Sequence, residues 1–248
     1  MPFLFLQKAL LGGKKLSEVL AQAQSLYSDN YIKLTDTKAT TVADGASIAG
    51  TQTREINTED SDTGNHVKIA YAIPYDAQTA NFTIGGTLTG ATLGGTGTIV
   101  ADEDSGATGI LYVVDISGSF QDNETITDST GSATTNIPTP ILGKGFYLAS
   151  GTYRFSAIAS AYVADQHKLI LHNINDSSNQ IVGLPAIAPL ASLSGNEASI
   201  LGELTIASNK TFKLNHYITT AGGVNGLGVP TSDGSSEIYV VIELWKVK

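Results

Sequence analysis

The sequence predicts an all-β protein, built as an antiparallel sandwich with an inserted small β-barrel or sandwich module and a short N-terminal helix. The chain has 248 residues, of which 26 are glycine and only 15% are charged. Such a composition is typical of many short strands joined by tight turns. Apolar and polar residues also alternate along several runs of the last hundred residues, as they do in half-buried strands.

The last predicted strand, residues 237–247, is apolar on both faces. Alternation places Ile238, Val240, Ile242 and Leu244 on one face and Tyr239, Val241, Trp245 and Val247 on the other. In an all-β chain without further helices, such a strand needs a second sheet or a second subunit to cover it. The strand therefore indicates an oligomer.

Residues 1–34 are predicted to form a helical segment. Apolar residues recur at helical spacing from Leu16 to Tyr27, and Ser17 can cap that helix. The preceding run from Phe3 to Leu11 is too apolar to stay exposed, so it either folds back on its own domain or anchors the chain in a neighbouring protein. We predict an anchor to a neighbouring protein, formed by Phe3, Leu4, Phe5, Leu6, Leu10, Leu11, Leu16 and Leu20.

Composition also excludes several classes of function. No run approaches the roughly 20 apolar residues that cross a bilayer, and the start lacks the basic region of a signal peptide. We therefore expect no membrane partner, and assembly in a cytoplasm. The chain has no Cys, which removes disulfides, thiol nucleophiles and Cys-based zinc sites.

An acidic module is predicted at residues 76–138. Eight of the acidic residues and no Lys or Arg lie between Tyr71 and Gly143, whereas the whole chain carries a net charge of −9. Nucleic acid is therefore not an expected partner, because phosphate backbones bind basic surfaces. Prolines at both ends of the module indicate an insertion. Residues 35–75 and 139–248 then form one discontinuous sandwich domain.

The sandwich strands contain the candidates for the core and the subunit contact. Large aromatic side chains account for much of the burial in cores and interfaces. Either all of these side chains are intramolecular core, or some form the contact between subunits. The candidates are Tyr153, Phe155, Tyr162, His216, Tyr217, Tyr239 and Trp245.

Several short stretches carry a resemblance to a known family. They are Gln52-Thr53-Arg54, Asp62-Thr63-Gly64, Gly151-Thr152-Tyr153-Arg154-Phe155, residues 161–169, His172-Asn173-Ile174-Asn175-Asp176 and the ending Glu243-Leu244-Trp245-Lys246. The pattern resembles tailed-bacteriophage virion proteins whose knob is a complement- or tumour-necrosis-factor-like trimeric jelly roll. The resemblance covers residues 31–73 and 146–248. It implies a jelly-roll sandwich, a homotrimer and a location on the virion surface, while the acidic module departs from the simpler members.

No motif predicts an enzyme. The four histidines lack metal-ligand spacing, and His216 is either a core or interface histidine or a metal ligand on a threefold axis. Asp102-Glu103-Asp104 is a solvated turn, or else a calcium site that lacks the usual loop pattern. Phosphate-loop and nucleophile-elbow motifs are missing. We predict no catalytic residue, no metal ligand and no cofactor.

The expected function is that of a structural bacteriophage protein. A short chain before the β part favours a trimeric capsid decoration protein or short head fibre, attached through its N-terminus to the capsid or another virion protein. The alternative is the receptor-binding tip of a tail fibre, which would recognise a host surface glycan or protein through loops 221–226 and 231–235.

Overall fold

The computed structural model describes residues 30–137, 141–190 and 194–247. All regular structure in this part of the chain is β-strand, which confirms the predicted all-β class. No described residue belongs to a helix with the length and apolar character needed to cross a membrane. The predicted helix and the eight predicted anchor residues lie outside the described residues.

Seventeen strands follow one another in the described residues. They are β1 (Tyr31–Lys38), β2 (Gly50–Thr53), β3 (Thr58–Asp62), β4 (Val67–Asp76), β5 (Thr87–Gly90), β6 (Thr96–Asp104), β7 (Gly109–Ser117), β8 (Thr125–Thr127), β9 (Ser132–Thr135), β10 (Leu142–Leu148), β11 (Gly151–Tyr162), β12 (Asp165–Asn173), β13 (Ser178–Val182), β14 (Ala186–Ala188), β15 (Gly195–Ile206), β16 (Lys210–Ile218) and β17 (Glu237–Lys246).

Two antiparallel sheets pack face to face into a jelly-roll-like sandwich. The smaller sheet has the order β15-β11-β17-β1-β3. The larger sheet contributes β13, β12, β16, β10 and the first half of β4, with β2 and β14 paired at its margins. Alternate residues of both sheets point inward and form one core; Phe155 faces it from β11, and Phe146 pairs with Phe212 across β10 and β16 with ring centroids 5.7 Å apart.

The inserted module is a closed barrel of six strands. The larger sheet continues from β4 through β7, β6, β5 and β8 to β9, and β9 pairs back onto β4. Closure leaves no free sheet edge within the ring. The barrel has its own core, which includes Ile73, Leu88, Ile99, Leu111 and Ile126.

Strand β4 belongs to both modules. Residues 67–72 pair with β10 in the sandwich, while residues 71–76 pair with β7 and β9 in the barrel. A third apolar cluster lies between the modules and contains Tyr112 and Ile174. Asn175 and Thr211 both hydrogen bond to the carbonyl of Val100 in the barrel, at 2.9 and 3.2 Å. The barrel is therefore packed against the sandwich rather than merely tethered to it.

Two details differ from the sequence prediction. Strand β1 begins at Tyr31, so residues 31–34 lie in the sandwich, where Ile32 and Leu34 are buried in the core. In β17, Val240 pairs with Asp36 and Ile238 with Thr37, so the chain bulges between them. The bulge reverses the alternation: Ile238 is 52% exposed, whereas Tyr239 points inward and is buried.

Candidate interaction surface

The side of the smaller sheet that points away from the core is partly apolar. We call this side the outer face. Strand pairing places Ile158 opposite Val241, and Trp245 opposite Tyr31, on this side of the sheet. Ile158 is 41% exposed, and Leu201 on the edge strand β15 is 79% exposed. The aliphatic and aromatic residues of the outer face are Tyr31, Ile158, Leu201, Val241 and Trp245.

Aromatic and charged groups share the outer face. The rings of Tyr31 and Trp245 lie 5.4 Å apart, and the Tyr31 hydroxyl donates to Glu243 at 2.6 Å. Burial, together with this contact to Glu243, raises the pKa of Tyr31 to about 12. Lys33 forms an ion pair with Asp60 at 3.2 Å near the β3 edge. The outer face thus has apolar groups beside a few ordered charges, as protein contact surfaces do.

The seven aromatic and histidine candidates do not lie on one surface. Tyr153, Phe155, His216 and Tyr239 are buried inside the sandwich. Trp245 lies on the outer face, and Tyr162 is half-buried at the end of β11. Tyr217 is exposed on the opposite, larger sheet, where the Lys168 ammonium lies 5.9 Å from the centre of its ring.

His216 belongs to a buried polar cluster centred on Arg54. The Arg54 side chain is fully buried, and its guanidinium forms an ion pair with Asp44. It also donates to three backbone carbonyls from separate segments, those of Ser160 (2.7 Å), Leu227 (3.3 Å) and Tyr239 (3.4 Å). Hydrogen bonding to the charged form is what makes a buried arginine tolerable.

The two histidines of this cluster are hydrogen bonded in series. Arg54 contacts His216 Nδ1 at 3.0 Å, and His216 Nε2 contacts His167 Nδ1 at 2.9 Å. Because Arg54 can only donate, His216 Nδ1 must accept and Nε2 must carry the proton. Burial and the charge of Arg54 lower the pKa of His216 to about 2. Both ring nitrogens are engaged, which contradicts the alternative of a metal ligand on a threefold axis.

The acidic residues 102–104 have separate partners. Asp102 accepts the Tyr75 hydroxyl at 2.9 Å, and burial raises the pKa of Asp102 to about 6. Glu103 forms an ion pair with Lys213 of the sandwich and accepts the Tyr112 hydroxyl at 2.8 Å. Asp104 accepts the backbone N–H of Gly106 at 2.6 Å. Within residues 30–137, 141–190 and 194–247, no group of three or more acidic or histidine side chains is arranged to hold a metal ion.

Loops 39–49 and 219–236 lie together at one end of the sandwich. An isolated bridge joins Ser47 to Gly223, and the Gly222 N–H donates to the Ser47 hydroxyl at 2.6 Å. Ile48 and Val224 project from these loops and are 56% and 79% exposed. The predicted contact loop 221–226 therefore presents an exposed aliphatic group on a hydrogen-bonded support, and we call this region the loop end.

Sequence reasoning missed two parts of these surfaces. Ile158 lies on the polar side of the β11 alternation, between Ser156 and Ser160, and that position was a usable signal for a contact on the outer face. The Arg54 cluster had no such signal. Its partners Asp44 and Tyr239 are 10 and 185 positions away along the chain.

Comparisons with known proteins give little similarity. Neither a protein-family model nor a curated protein sequence matches the chain. Among solved structures, a mutant VP2 protein of infectious bursal disease virus in T=1 particles is 8% identical, with a TM-score of 0.23 and coverage of 87% of this chain and 69% of VP2. A second structure of such particles is also 8% identical, with a TM-score of 0.21 and coverage of 88% and 73%. At these TM-scores the similarity supports no argument about function.

Proposed function

We propose that this chain is a non-enzymatic structural protein of a bacteriophage virion, and that it acts as a homotrimer on the virion surface. Within this class we favour a capsid decoration protein or short head fibre that attaches through its N-terminus. The observation that carries the proposal is the outer face, where apolar side chains project from a finished sandwich that already has its own core. The sequence resemblance to trimeric jelly-roll knobs of phage virion proteins supports the same assignment.

The outer face supports a contact between copies for a physical reason. Ile158, Val241 and Trp245 lie on adjacent strands, so a second copy could cover all three at once. Removing apolar surface from water contributes roughly 25 cal/mol for each Å² buried. Closed rotational symmetry repeats the same contact at every subunit. A trimer also multiplies a modest affinity for the shell, because its three attachment points bind at a high effective concentration.

A pair of matched substitutions tests the contact. Ile158→Glu places a carboxylate in the outer face, whereas Ile84→Glu makes the same change at a 52% exposed position in the barrel. We expect light scattering to show that Ile158→Glu lowers the mass of the protein in solution from that of a trimer to that of a single 25.8 kDa chain. Ile84→Glu should leave the trimer mass unchanged. Retention of the trimer mass by Ile158→Glu would exclude the outer face as the contact.

The N-terminal attachment needs a separate experiment. Deleting residues 1–11 removes Phe3, Leu4, Phe5, Leu6, Leu10 and Leu11 and leaves every strand of the described chain in place. We expect the deletion variant to keep the trimer mass but to be missing from virions assembled with it. Unchanged incorporation into particles would overturn the anchor assignment while leaving the trimer standing.

The loop end favours a second candidate, the receptor-binding tip of a tail fibre. Val224 and Ile48 are both exposed there, on loops that the bridge between Ser47 and Gly223 joins, at a position suited to contacting a host surface glycan or protein. Copy number per virion separates the two candidates. Hundreds of copies fit a decoration protein, whereas a dozen or two fit a tail or vertex attachment and would overturn the first assignment.

A further inference from the structure

Loop 39–49 is held to the sandwich largely by polar contacts. Asp44 in this loop forms an ion pair with Arg54, and its side chain is only 2% exposed. The loop also hydrogen bonds to the loop after β16 through the Asp44 N–H to Gly228 O (3.4 Å), the Ser47 N–H to Gly223 O (3.2 Å) and the Leu227 N–H to Gly45 O (3.1 Å). Asp44 is therefore one of the groups that hold this loop closed, and the only one of them that carries a charge in an ion pair with Arg54.

A second carboxyl group lies against Asp44. Asp36 on β1 is fully buried, and the Asp44 side chain lies close enough to raise the pKa of Asp36. Asp36 Oδ1 accepts from Asn57 Nδ2 and Lys38 Nζ, both at 3.0 Å. Oδ2 finds no N–H or O–H donor in the described part of the chain. Two buried carboxyl groups in contact cannot both be ionised without strong repulsion.

The ion pairs around Asp36 and Asp44 leave one oxygen of Asp36 available for a proton. Arg54 pairs with Asp44, and Lys38 is shared between Asp36 and Glu55, at 3.0 and 2.8 Å. Neither ion pair involves Asp36 Oδ2, so this oxygen is the place where a proton can sit. The other titratable groups that face this cluster are Lys144 on β10, whose pKa burial lowers, His216 on β16, His167 on β12 and Tyr239 on β17.

We propose that Asp36 stays protonated and donates a hydrogen bond to Asp44, and that this proton keeps loop 39–49 closed against the sandwich. A proton on Asp36 turns the approach of two acceptors into a hydrogen bond. Losing it leaves two buried negative charges side by side, and moving Asp44 out to solvent with its loop relieves the repulsion. The pair Asp36 and Asp44 thus forms a pH-sensitive switch beneath the loop end, which we call the latch.

The sign of the pH dependence follows from the closed and open states. Burial and the contact with Asp44 raise the pKa of Asp36 to about 8 in the closed state. Once the loop opens and water reaches the site, the pKa of Asp36 falls toward its ordinary value near 3.9, so opening releases a proton in the interval between the two pKa values. The opening constant therefore rises with pH, by at most about 50-fold from pH 6 to pH 8 for a single proton. The pKa of His216 is about 2, so His216 stays neutral between pH 6 and pH 8 and does not drive the change.

Hydrogen exchange on the full chain tests the latch. We would measure protection of the Asp44, Ser47 and Leu227 amides between pH 6 and pH 8, corrected for intrinsic exchange rates. The variant Asp36→Asn keeps the side chain neutral and can donate to Asp44. Asp115→Asn is the control, since it neutralises an exposed carboxylate that pairs with Lys68 on the barrel side.

The expected result is a loss of protection with rising pH in the wild type and in Asp115→Asn, and constant protection in Asp36→Asn. Constant protection in the wild type, or an unchanged pH dependence in Asp36→Asn, would overturn the proposal. If Asp36→Asn does not fold, a carbon-13 NMR titration of the wild type decides the matter. Ionisation of Asp36 above pH 6 supports the latch, and ionisation of Asp36 at or below pH 6 refutes it.

Discussion

The sandwich and the barrel differ in the side chains that their strands expose and in the charged groups that they bury. In the barrel, the exposed side chains of β5 and β8 are hydroxyl groups, those of Thr87, Thr89, Thr125 and Thr127. In the sandwich, the outer face exposes Ile158 and Leu201, while Arg54 and Asp36 are fully buried. The exposed hydroxyl groups of β5 and β8 are suited to contact with water. A sandwich that buries charge and exposes aliphatic groups is suited to being covered by another copy.

The carboxylates of the two modules also differ in the groups that they bind. In the barrel they organise neighbouring backbone: Asp128 accepts the N–H groups of Thr130 and Gly131, and Glu124 accepts that of Gln121. In the sandwich, Asp44 and Arg54 tie together segments that are far apart in the chain. Loss of the partly exposed Asp128 carboxylate should therefore cost little, whereas loss of the buried Arg54 guanidinium should cost much.

The largest effect is expected from Arg54→Met. The substitution leaves Asp44 buried beside Asp36 without its cation, and breaking a buried ion pair typically costs about 3–5 kcal/mol of the free energy of unfolding. The matched change Lys68→Met removes an ion pair that is roughly half exposed on both sides, and should cost less than about 1 kcal/mol. Denaturant unfolding measures the loss of free energy of unfolding in both variants. Equal losses would contradict the expected difference between the buried and the exposed ion pair.

A smaller, pH-dependent effect is expected from His216→Gln. Since the folded-state pKa of His216 is about 2, the unfolded chain binds a proton below pH 6.5 that the folded chain does not. The folded state thus loses stability as the pH falls. Relative to His216→Gln, the wild type should lose about 2 kcal/mol between pH 6.5 and pH 4.5.

The effect of His216 is measured as the difference between wild type and variant, because Asp36 changes the free energy of unfolding with pH in the opposite direction. Its raised pKa means that the folded chain holds the extra proton between about pH 4 and pH 8, so Asp36 favours the folded state as the pH falls. His172→Gln on the solvent side of β12 is the control substitution. Parallel pH profiles for the two histidine variants would contradict the assignment of the slope to His216.

A third, weaker effect is expected from Asp128→Asn in the barrel. Burial opposes ionisation, but the N–H groups of Thr83, Thr130 and Gly131 lower the pKa of Asp128 to about 2. The lowered value stabilises the fold above pH 4, and the stabilisation disappears as the pH falls through 2. Because the side chain is only half-buried and solvent screens its contacts, the cost of the substitution at pH 6 should not exceed about 1 kcal/mol. A cost that persists at pH 2 would argue against the carboxylate as its cause.

The smallest effect is expected from Thr127→Ala on the barrel exterior. Its side chain is exposed, so the free energy of unfolding should change by less than about 0.5 kcal/mol and the mass in solution should not change. Calorimetry and light scattering check the two statements. A change in mass would show that the barrel, too, contacts other copies.

Most of the fold was predictable because it rests on local patterns. Alternation in β11 correctly places Tyr153 and Phe155 in the core and Ile158 on the other side. In β17 the same rule failed at the bulge between Ile238 and Val240, because a bulge depends on pairing with Asp36 and Thr37 across the sheet and not on the strand's own residues. The start of β1 was missed for a similar reason, since Tyr31 is fixed by its contact with Trp245.

The polar cluster could not be predicted from the sequence. Arg54 follows a short strand in a Thr-rich stretch, and nothing nearby distinguishes it from a solvated arginine. Its role appears only when the fold brings Asp44, His216 and the Tyr239 carbonyl to one point. The acidity of the barrel was visible, but the use of Asp128 and Glu124 to hold turns depends on backbone geometry that composition does not contain.

The mass of the full chain in solution tests the central claim most directly. Light scattering across a dilution series should give three times the 25.8 kDa chain mass at every concentration that can be measured. A mass of 25.8 kDa throughout would contradict the account, because the outer face would then be an ordinary solvated surface and the sandwich would have no copy to cover it.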